Sequence, residues 1–474
     1  MLKRVIICVL LLSTLLSCFV GCKKNDEGAE ATTTATTAEG TKSILDTLPE
    51  KDFEGRAYNI LVCEEGYNDT HYYAHDEDDG EPITTVSYER TKWIEDKYKI
   101  DMNVIENKDF TTLVRSNHQA GATEYDLIFP HPTNGIMSLM TEGYLANFCD
   151  LENCHMDEEW YNQSQVNGYK VNDKLYFIVS DYSMVAMGIS ALVYNKDMWD
   201  QQGFDMNPYE EVNNGTWTYE KFLKLIENFS VADDGTGTYG LQLREHNVDG
   251  FLRGFGEKIT SRNEAGEFSL AFDRTRLSDI ADKLYSLTWE HPGVYHATAN
   301  NAQYPSSDLY LNFKDGKSLF ATYDIGGSHQ YLRTLQFRIG ILPYPKLDTN
   351  QADYYPTCAS EFFAIPSILS EDRQEESALI LDALSRYSHI YMRPKFFETV
   401  LLGRMSESAD DYKMLEMIYS KVSYDFGYTA DVDGNLRSIM YEVIIQSKSK
   451  NTEAFLRKKS GYIEDLMASM NAIE

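Results

Sequence analysis

The sequence predicts an α/β protein behind a short apolar leader. Strand-like and helix-like runs alternate from residue 57 to residue 129, in the β-α-β-α-β order that builds a parallel, doubly wound sheet. Of the 474 residues, 43% are hydrophobic and 25% charged, which supplies a real core and argues against a mainly disordered chain. The length fits about three domains of roughly 150 residues, or fewer large ones. Beyond the leader, no stretch approaches the ~18 consecutive apolar residues of a membrane span, so the remainder reads as soluble.

Residues 1–21 read as a lipoprotein signal peptide. Lys3 and Arg4 give a positive start. Residues 5–20 are almost unbroken apolar sequence, short for a membrane span and followed by polar residues. The stretch ends Phe19-Val20-Gly21-Cys22-Lys23-Lys24. Small or apolar residues before a cysteine resemble the bacterial lipobox, so Cys22 is the expected lipidation site, with Leu15-Leu16-Ser17-Cys18 competing. A multi-chain lipid is the anchor that fits, because one acyl chain holds weakly. The expected location is the cell surface, on the outer face of the cytoplasmic membrane. Residues 22–50, rich in Ala, Thr and Glu, cannot bury enough apolar surface to order themselves and read as a disordered tether.

The body follows in order. Residues 57–63 (AYNILVC) form a strand; Val86, Trp93, Ile94 and Tyr98 recur at helical spacing; residues 102–105 form a second strand. Phe110, Leu113, Val114 and Asn117 mark a helix stopped by Gly121, and residues 125–129 form a third strand. The loop Pro130-His131-Pro132-Thr133-Asn134 then sits at a strand's carboxyl end, where such sheets bind ligands. Further strands are expected over 187–194, 319–323, 338–342 and 362–366. Helices are expected after a Thr218 cap, over 273–287, and from Ser370 to a stop at Pro394, with a helical final 60 residues. Trp199 and Trp217 read as core.

Charge and cysteine content narrow the function. Lys+Arg total 43 against 74 Asp+Glu, a net charge of −31, which repels phosphate backbones and argues against nucleic acid. Cys8, Cys18 and Cys22 belong to the leader. Cys63, Cys149, Cys154 and Cys358 are too few for a disulfide scaffold; Cys149 and Cys154 are spaced either to pair or to remain thiols. Nothing indicates a metal or cofactor. Gly235-Thr236-Gly237-Thr238-Tyr239-Gly240 matches GxGxxG but leads into a strand, so it reads as a turn. Walker A, HExxH and GxSxG sequences are absent. The acidic run of residues 76–81 lacks EF-hand spacing and reads as a solvated loop, and residues 431–435 read as a turn.

A leader, a lipobox-like cysteine, a tether and an α/β body without a catalytic motif describe a surface capture protein. Several segments resemble the extracellular solute-binding proteins of bacterial ABC importers, the family that includes the maltose-binding proteins. Tyr125-Asp126-Leu127-Ile128-Phe129 followed by Gly143-Tyr144-Leu145-Ala146-Asn147-Phe148 looks like that family's third strand and "G-x-L-x-D-L". Asn172-Asp173-Lys174-Leu175-Tyr176-Phe177 and Ala191-Leu192-Val193-Tyr194-Asn195-Lys196-Asp197 are similar to "G-K-x-Y…L-x-Y-N-K-D". Gly215-Thr216-Trp217-Thr218-Tyr219-Glu220 resembles "P-x-T-W-d-E", Phe320-Ala321-Thr322-Tyr323 before Gly326-Gly327-Ser328 resembles "A-M-x-x-x-G-x-W", and Gly340-Ile341-Leu342-Pro343-Tyr344-Pro345 resembles "G-v-x-P-x-P". The segments span about residues 55–400 in the family's order.

The resemblance implies a two-lobed periplasmic-binding-protein-like fold of type II with three hinge crossings, near residues 187–190, 359–363 and 402–410. Lobe one is expected over 52–188 plus 361–405, and lobe two over 189–358 plus 410–474. A small-molecule solute, expected to be a sugar or oligosaccharide, binds between the lobes and passes to an ABC transporter permease; a monomer is implied. Aromatic rings cover a sugar's apolar face, while polar and charged groups bond its hydroxyls. The positions matching the family's ligand contacts are His131, Thr133 and Asn134 after the third strand, Asp181 and Tyr182 before the first crossing, Tyr323, Asp324 and His329, and Tyr355 and Glu361 at the second crossing. His329 stands where the family carries Trp, and the charged pair of maltose binders is absent. A peptide or polyamine receptor and a surface carbohydrate hydrolase with two carboxylates are the alternatives.

Overall fold

The computed structural model describes residues 43–63, 72–133, 135–229, 237–296, 311–326, 335–358, 362–404 and 409–473. The signal peptide, Cys22, most of the tether, Asn134, His329 and Glu361 lie outside the described residues, as do parts of the GxGxxG run and of the second and third expected crossings. The chain divides into two units, Met1–Thr47 and Leu48–Glu474. In the first, Ile44–Thr47 forms one 3-10 turn, inside the stretch expected as tether. Everything below concerns the second.

Its first sheet has the order β2-β1-β3, all parallel, with β1 at Arg56–Cys63, β2 at Ile100–Asn107 and β3 at Leu127–Phe129. The helices Pro82–Tyr98 and Phe110–Gln119 provide the crossovers. Leu127, Ile128 and Phe129 are fully buried, the continuous apolar run of a strand covered on both faces. Residues 362–366 return antiparallel beside β3, with Ile128 N donating to Ala364 O at 2.9 Å and Ala364 N to Ile128 O at 3.0 Å. Asp126 locks this layer to the Glu371–Tyr387 helix: its buried carboxylate accepts from Arg56 Nη1 at 2.6 Å, Arg373 Nη2 at 2.5 Å and Asn59 N at 2.9 Å.

The second sheet is mixed. β4 (Ile189–Asn195), β5 (Tyr239–Leu243), β8 (Val294–His296), β9 (Ser318–Asp324) and β10 (Ile339–Leu342) take the order β10-β4-β9-β5-β8, and β11 (Thr357–Cys358) pairs with β4. A small hairpin, β6 (Thr260–Arg262) with β7 (Phe268–Leu270), stands apart. Trp217 is fully buried and donates Nε1 to Pro343 O at 3.0 Å; Trp199 is also buried. The Asn195-Lys196-Asp197 run is structural. Asn195 caps the Lys196–Gln202 helix, Lys196 pairs with the buried Asp411 at 2.6 Å, and Asp197 takes Arg338 at 2.6 Å.

Two expectations are corrected in detail, and two open readings are filled in. Thr218 occupies the N-cap position of the Tyr219–Ile226 helix but makes no side-chain cap bond. Pro394 does not end the helical path. It is the second residue of Arg393–Arg404, which continues directly from the π-helical Ser388–Met392, and such wide turns are where helices accommodate an interrupted hydrogen-bond ladder. Cys149 and Cys154 are unbridged thiols, and Cys154 donates to the Tyr161 hydroxyl at 3.4 Å. The acidic run folds on itself: Asp78 and Asp79 accept from Gly80 N and Glu81 N at 3.0 and 2.9 Å, and from Thr85 and Thr84.

Candidate functional site: a cleft at the strand ends

Both sheets present strand ends to one cleft of about 690 Å³, within the roughly 300–1,000 Å³ that hold a small molecule. Tyr72, Pro132 beyond β3, and Phe362 at the start of the return segment come from the side of the first sheet. Ser190 on β4, Tyr323 and Asp324 at the end of β9, and Arg244 directly after β5 come from the second. β5 and β9 run parallel, so both carboxyl ends open here, where open α/β sheets bind ligands. The C-terminal segment adds Tyr428 and Arg437.

The floor is polar and internally bonded. Ser190 and Asp324 are register partners across β4 and β9. Arg244 donates Nη1 to Asp324 Oδ2 at 3.2 Å, and its backbone N donates to Thr322 Oγ1 at 2.9 Å. Burial pushes the Asp324 carboxyl up, against the pull of Arg244. Asn247 Nδ2 donates to Ser190 Oγ at 2.9 Å and to the Tyr344 hydroxyl at 3.3 Å. The Val248–Gly254 helix approaches Tyr344 only because it carries glycine: a Cβ at Gly254 would lie 2.5 Å from Tyr344 Cβ. In the same helix, burial raises the Asp249 carboxyl to about 7, although the backbone N–H groups of Met440 and Tyr441 donate to it at 2.9 and 3.0 Å.

The walls carry half-buried tyrosines. Tyr355 lies over Gly256, whose φ is +85°; a Cβ there would meet the ring at 3.1 Å. Tyr428 has the guanidiniums of Arg253 and Arg437 at 5.3 and 5.8 Å from its ring centre. Tyr72 is held from behind: the fully buried Arg90 donates Nη2 to the carbonyls of Tyr72 and Tyr73, the latter at 3.0 Å. Such a surface offers aromatic faces beside hydrogen-bonding groups.

The residues expected at the site divide. Tyr323, Asp324 and Tyr355 line the cleft, although Tyr323 is only 2% exposed and offers little stacking face. His131 and Thr133 flank Pro132 and bond each other, His131 Nδ1 to Thr133 Oγ1 at 3.0 Å; burial and the nearby Arg437 charge lower the imidazole to about 4. Asp181 and Tyr182 are corrections. Tyr182 is 0% exposed, stacks on Phe363 at 4.8 Å and donates its hydroxyl to Tyr73 O at 2.9 Å. Asp181 is buried against His389 Nδ1 at 2.6 Å, Arg393 Nη1 at 2.9 Å and the Tyr419 hydroxyl. Both belong to the interior because their partners arrive from distant helices. Sequence reasoning missed Tyr72, Arg244, Asn247, Arg253, Tyr428 and Arg437. Only the turn before Arg437 left a readable signal, its Asp-Gly chemistry.

No family model and no curated protein matches the sequence. Solved structures do. The GacH receptor of Streptomyces glaucescens, known unliganded and with acarbose, superposes at TM-score 0.57 with 14% identity, over 87% of this chain and 99% of that one. The maltose-bound MalE3 of T. maritima gives 0.55 at 13% identity, over 87% and 100%. An ABC transporter solute-binding protein of Agrobacterium radiobacter in complex with ribitol gives 0.54 at 11%, over 90% and 100%. The chain has the solute-binding-protein fold. It is the two-lobed, type II form of that fold, and the cleft lies at the strand ends.

Proposed function

We propose that this chain is a lipid-anchored receptor of an ABC importer, capturing a sugar or oligosaccharide in the cleft and delivering it to the permease. It works by binding and release, with no catalytic step. The observation that carries this reading is the cleft of about 690 Å³ with half-buried Tyr72, Tyr355 and Tyr428 beside Arg244, Asn247 and Asp324. Structural neighbours of the same fold hold acarbose, maltose and ribitol, which supports a polyhydroxylated ligand. The cleft lining sets Arg244, Arg253, Lys258 and Arg437 against Asp249, Glu257, Asp324 and Asp425, a balance that offers a polyamine no net anionic pull. The leader and the run ending at Cys22 support the anchor.

The test is a thermal-shift screen of the full chain against monosaccharides, oligosaccharides, short peptides and polyamines. A ligand binding only the native state at about 100 times its Kd adds about 2.7 kcal/mol, a clear upward shift. A sugar hit recovered unchanged after incubation is the expected result. A shift with peptides alone would discard the carbohydrate assignment, and cleavage of the sugar would reinstate the hydrolase.

A further inference from the structure

We propose that the cleft takes a saccharide bearing a carboxylate, a uronic-acid-containing sugar, and that Arg253 and Arg437 hold that group; the inference rests on the sugar-receptor reading above. The chain carries a net charge of −31, yet three guanidiniums line its cleft. Arg244 has an ion-pair partner in Asp324 at 3.2 Å. Among the described residues, Arg253 and Arg437 have none.

The other carboxylates of the cleft are turned to their own chain. Asp425 accepts from Ile259 N at 2.5 Å, Thr260 Oγ1 at 2.8 Å and Gly427 N at 3.0 Å. Asp249 takes the two backbone N–H groups described above, and Glu257 pairs with Arg276. Arg253 makes only long bonds, Nη1 to Arg437 O at 3.3 Å and Nε to Thr357 Oγ1 at 3.4 Å. Arg437 donates Nη1 to Asp431 O at 2.6 Å. A guanidinium has five donors in a fixed fork, so most of each fork is unfilled. Both guanidiniums lie within cation–π reach of the Tyr428 ring, and a guanidinium fork matches a planar, bidentate acceptor.

Arg437 is also placed by design of the backbone. The Asp431 carboxylate accepts from the N–H groups of Asn435, Leu436 and Arg437 at 3.1, 2.7 and 2.7 Å. Gly434, at φ +70°, lets the guanidinium lie against the turn; a Cβ there would be 3.1 Å from Nη2. A neutral sugar closing over this cleft would take two guanidiniums further out of water with no carboxylate in ion-pair contact, Asp249 and Asp324 acting on Arg253 only through space, which is costly. A carboxylate beside the sugar ring removes that cost, while Tyr428 and Tyr355 cover the ring's apolar face. The same fork would accept the carboxyl terminus of a peptide, so the experiment separates the two sources.

The full chain is titrated calorimetrically with three probe sets: oligogalacturonates, oligoglucuronates and oligomannuronates; the methyl esters of the same oligomers; and short peptides with free carboxyl termini. The expected result is that one uronate series binds. Its ester should bind about tenfold more weakly or worse, as loss of one charge-assisted hydrogen bond implies. Arg253→Gln and Arg437→Gln should each show a similar loss, with unchanged melting in the absence of ligand. The ester comparison uses the unaltered chain and stands even where a variant folds poorly. Uronates and esters binding equally well, with both variants unimpaired, would overturn the carboxylate assignment and leave a sugar receptor. Binding by peptides alone would overturn both readings. No binding by any set would overturn the carboxylate assignment and leave the sugar reading to the neutral sugars of the thermal-shift screen.

Discussion

Two neighbourhoods of this molecule are built from the same residue types and end in different roles. Around Asp181, one carboxylate meets His389, Arg393 and Tyr419, and the adjacent Tyr182 is sandwiched between Phe363 at 4.8 Å and the Arg90 guanidinium at 4.6 Å. Around Tyr428, two guanidiniums lie near a half-buried ring and, among the described residues, no carboxylate closes on them within ion-pairing distance. In the first the Asp181 carboxylate and the Tyr182 hydroxyl are bonded and sealed, although Arg90 Nε has no hydrogen-bond partner; the second keeps donors beside the cleft. Residue type therefore does not distinguish a binding site from an interior network. The degree of satisfaction does, since buried polar groups that serve only the fold are almost always bonded.

The contrast can be broken most forcefully at Tyr182. Tyr182→Ala removes a fully buried ring and should cost about 3–5 kcal/mol of stability, read by urea denaturation, while ligand affinity per folded molecule stays unchanged. Lost affinity at intact stability would return Tyr182 to the binding surface.

A smaller effect is expected from pH. His131 is held near 4, below its ordinary 6.5, so the folded state binds fewer protons between those values and stability falls as pH drops through that window. His131→Gln should therefore gain on the wild type by about 1–2 kcal/mol between pH 6.5 and 4, the full slope being reduced by solvent around a half-buried ring. Asp249 works the other way. Its carboxyl is raised to about 7, so its protonated form favours the folded state and stability declines as pH rises from about 4 to 7. The wild type should therefore slope less steeply than the variant, and parallel stability–pH curves for the two would contradict the assignment.

The smallest stability effect belongs to the cleft itself. Tyr355→Ala should change stability by less than about 1 kcal/mol, because the ring is half-exposed, yet weaken ligand binding about tenfold. Gly256→Ala sharpens this. It places a Cβ 3.1 Å from the Tyr355 ring at φ +85°, costing roughly 1–2 kcal/mol of backbone strain and displacing the ring, so binding should weaken without any contact residue being removed.

How much of this was legible in advance depended on range. β1 was readable at 57–63 and the Glu371–Tyr387 helix from its Ser370 cap, whose side chain accepts from Arg373 N, because periodicity and capping are written within a dozen neighbouring residues. The order of short motifs along residues 55–400 carried the fold in the same way. The fate of individual side chains was not local. Tyr182 is buried by Phe363 and Arg90, and Arg437 reaches the cleft through a turn some 180 residues from Arg253. Whether a tyrosine faces a ligand or a core, and whether an arginine meets a carboxylate, is set by which distant segments fold against it, and no run of neighbouring residues records that.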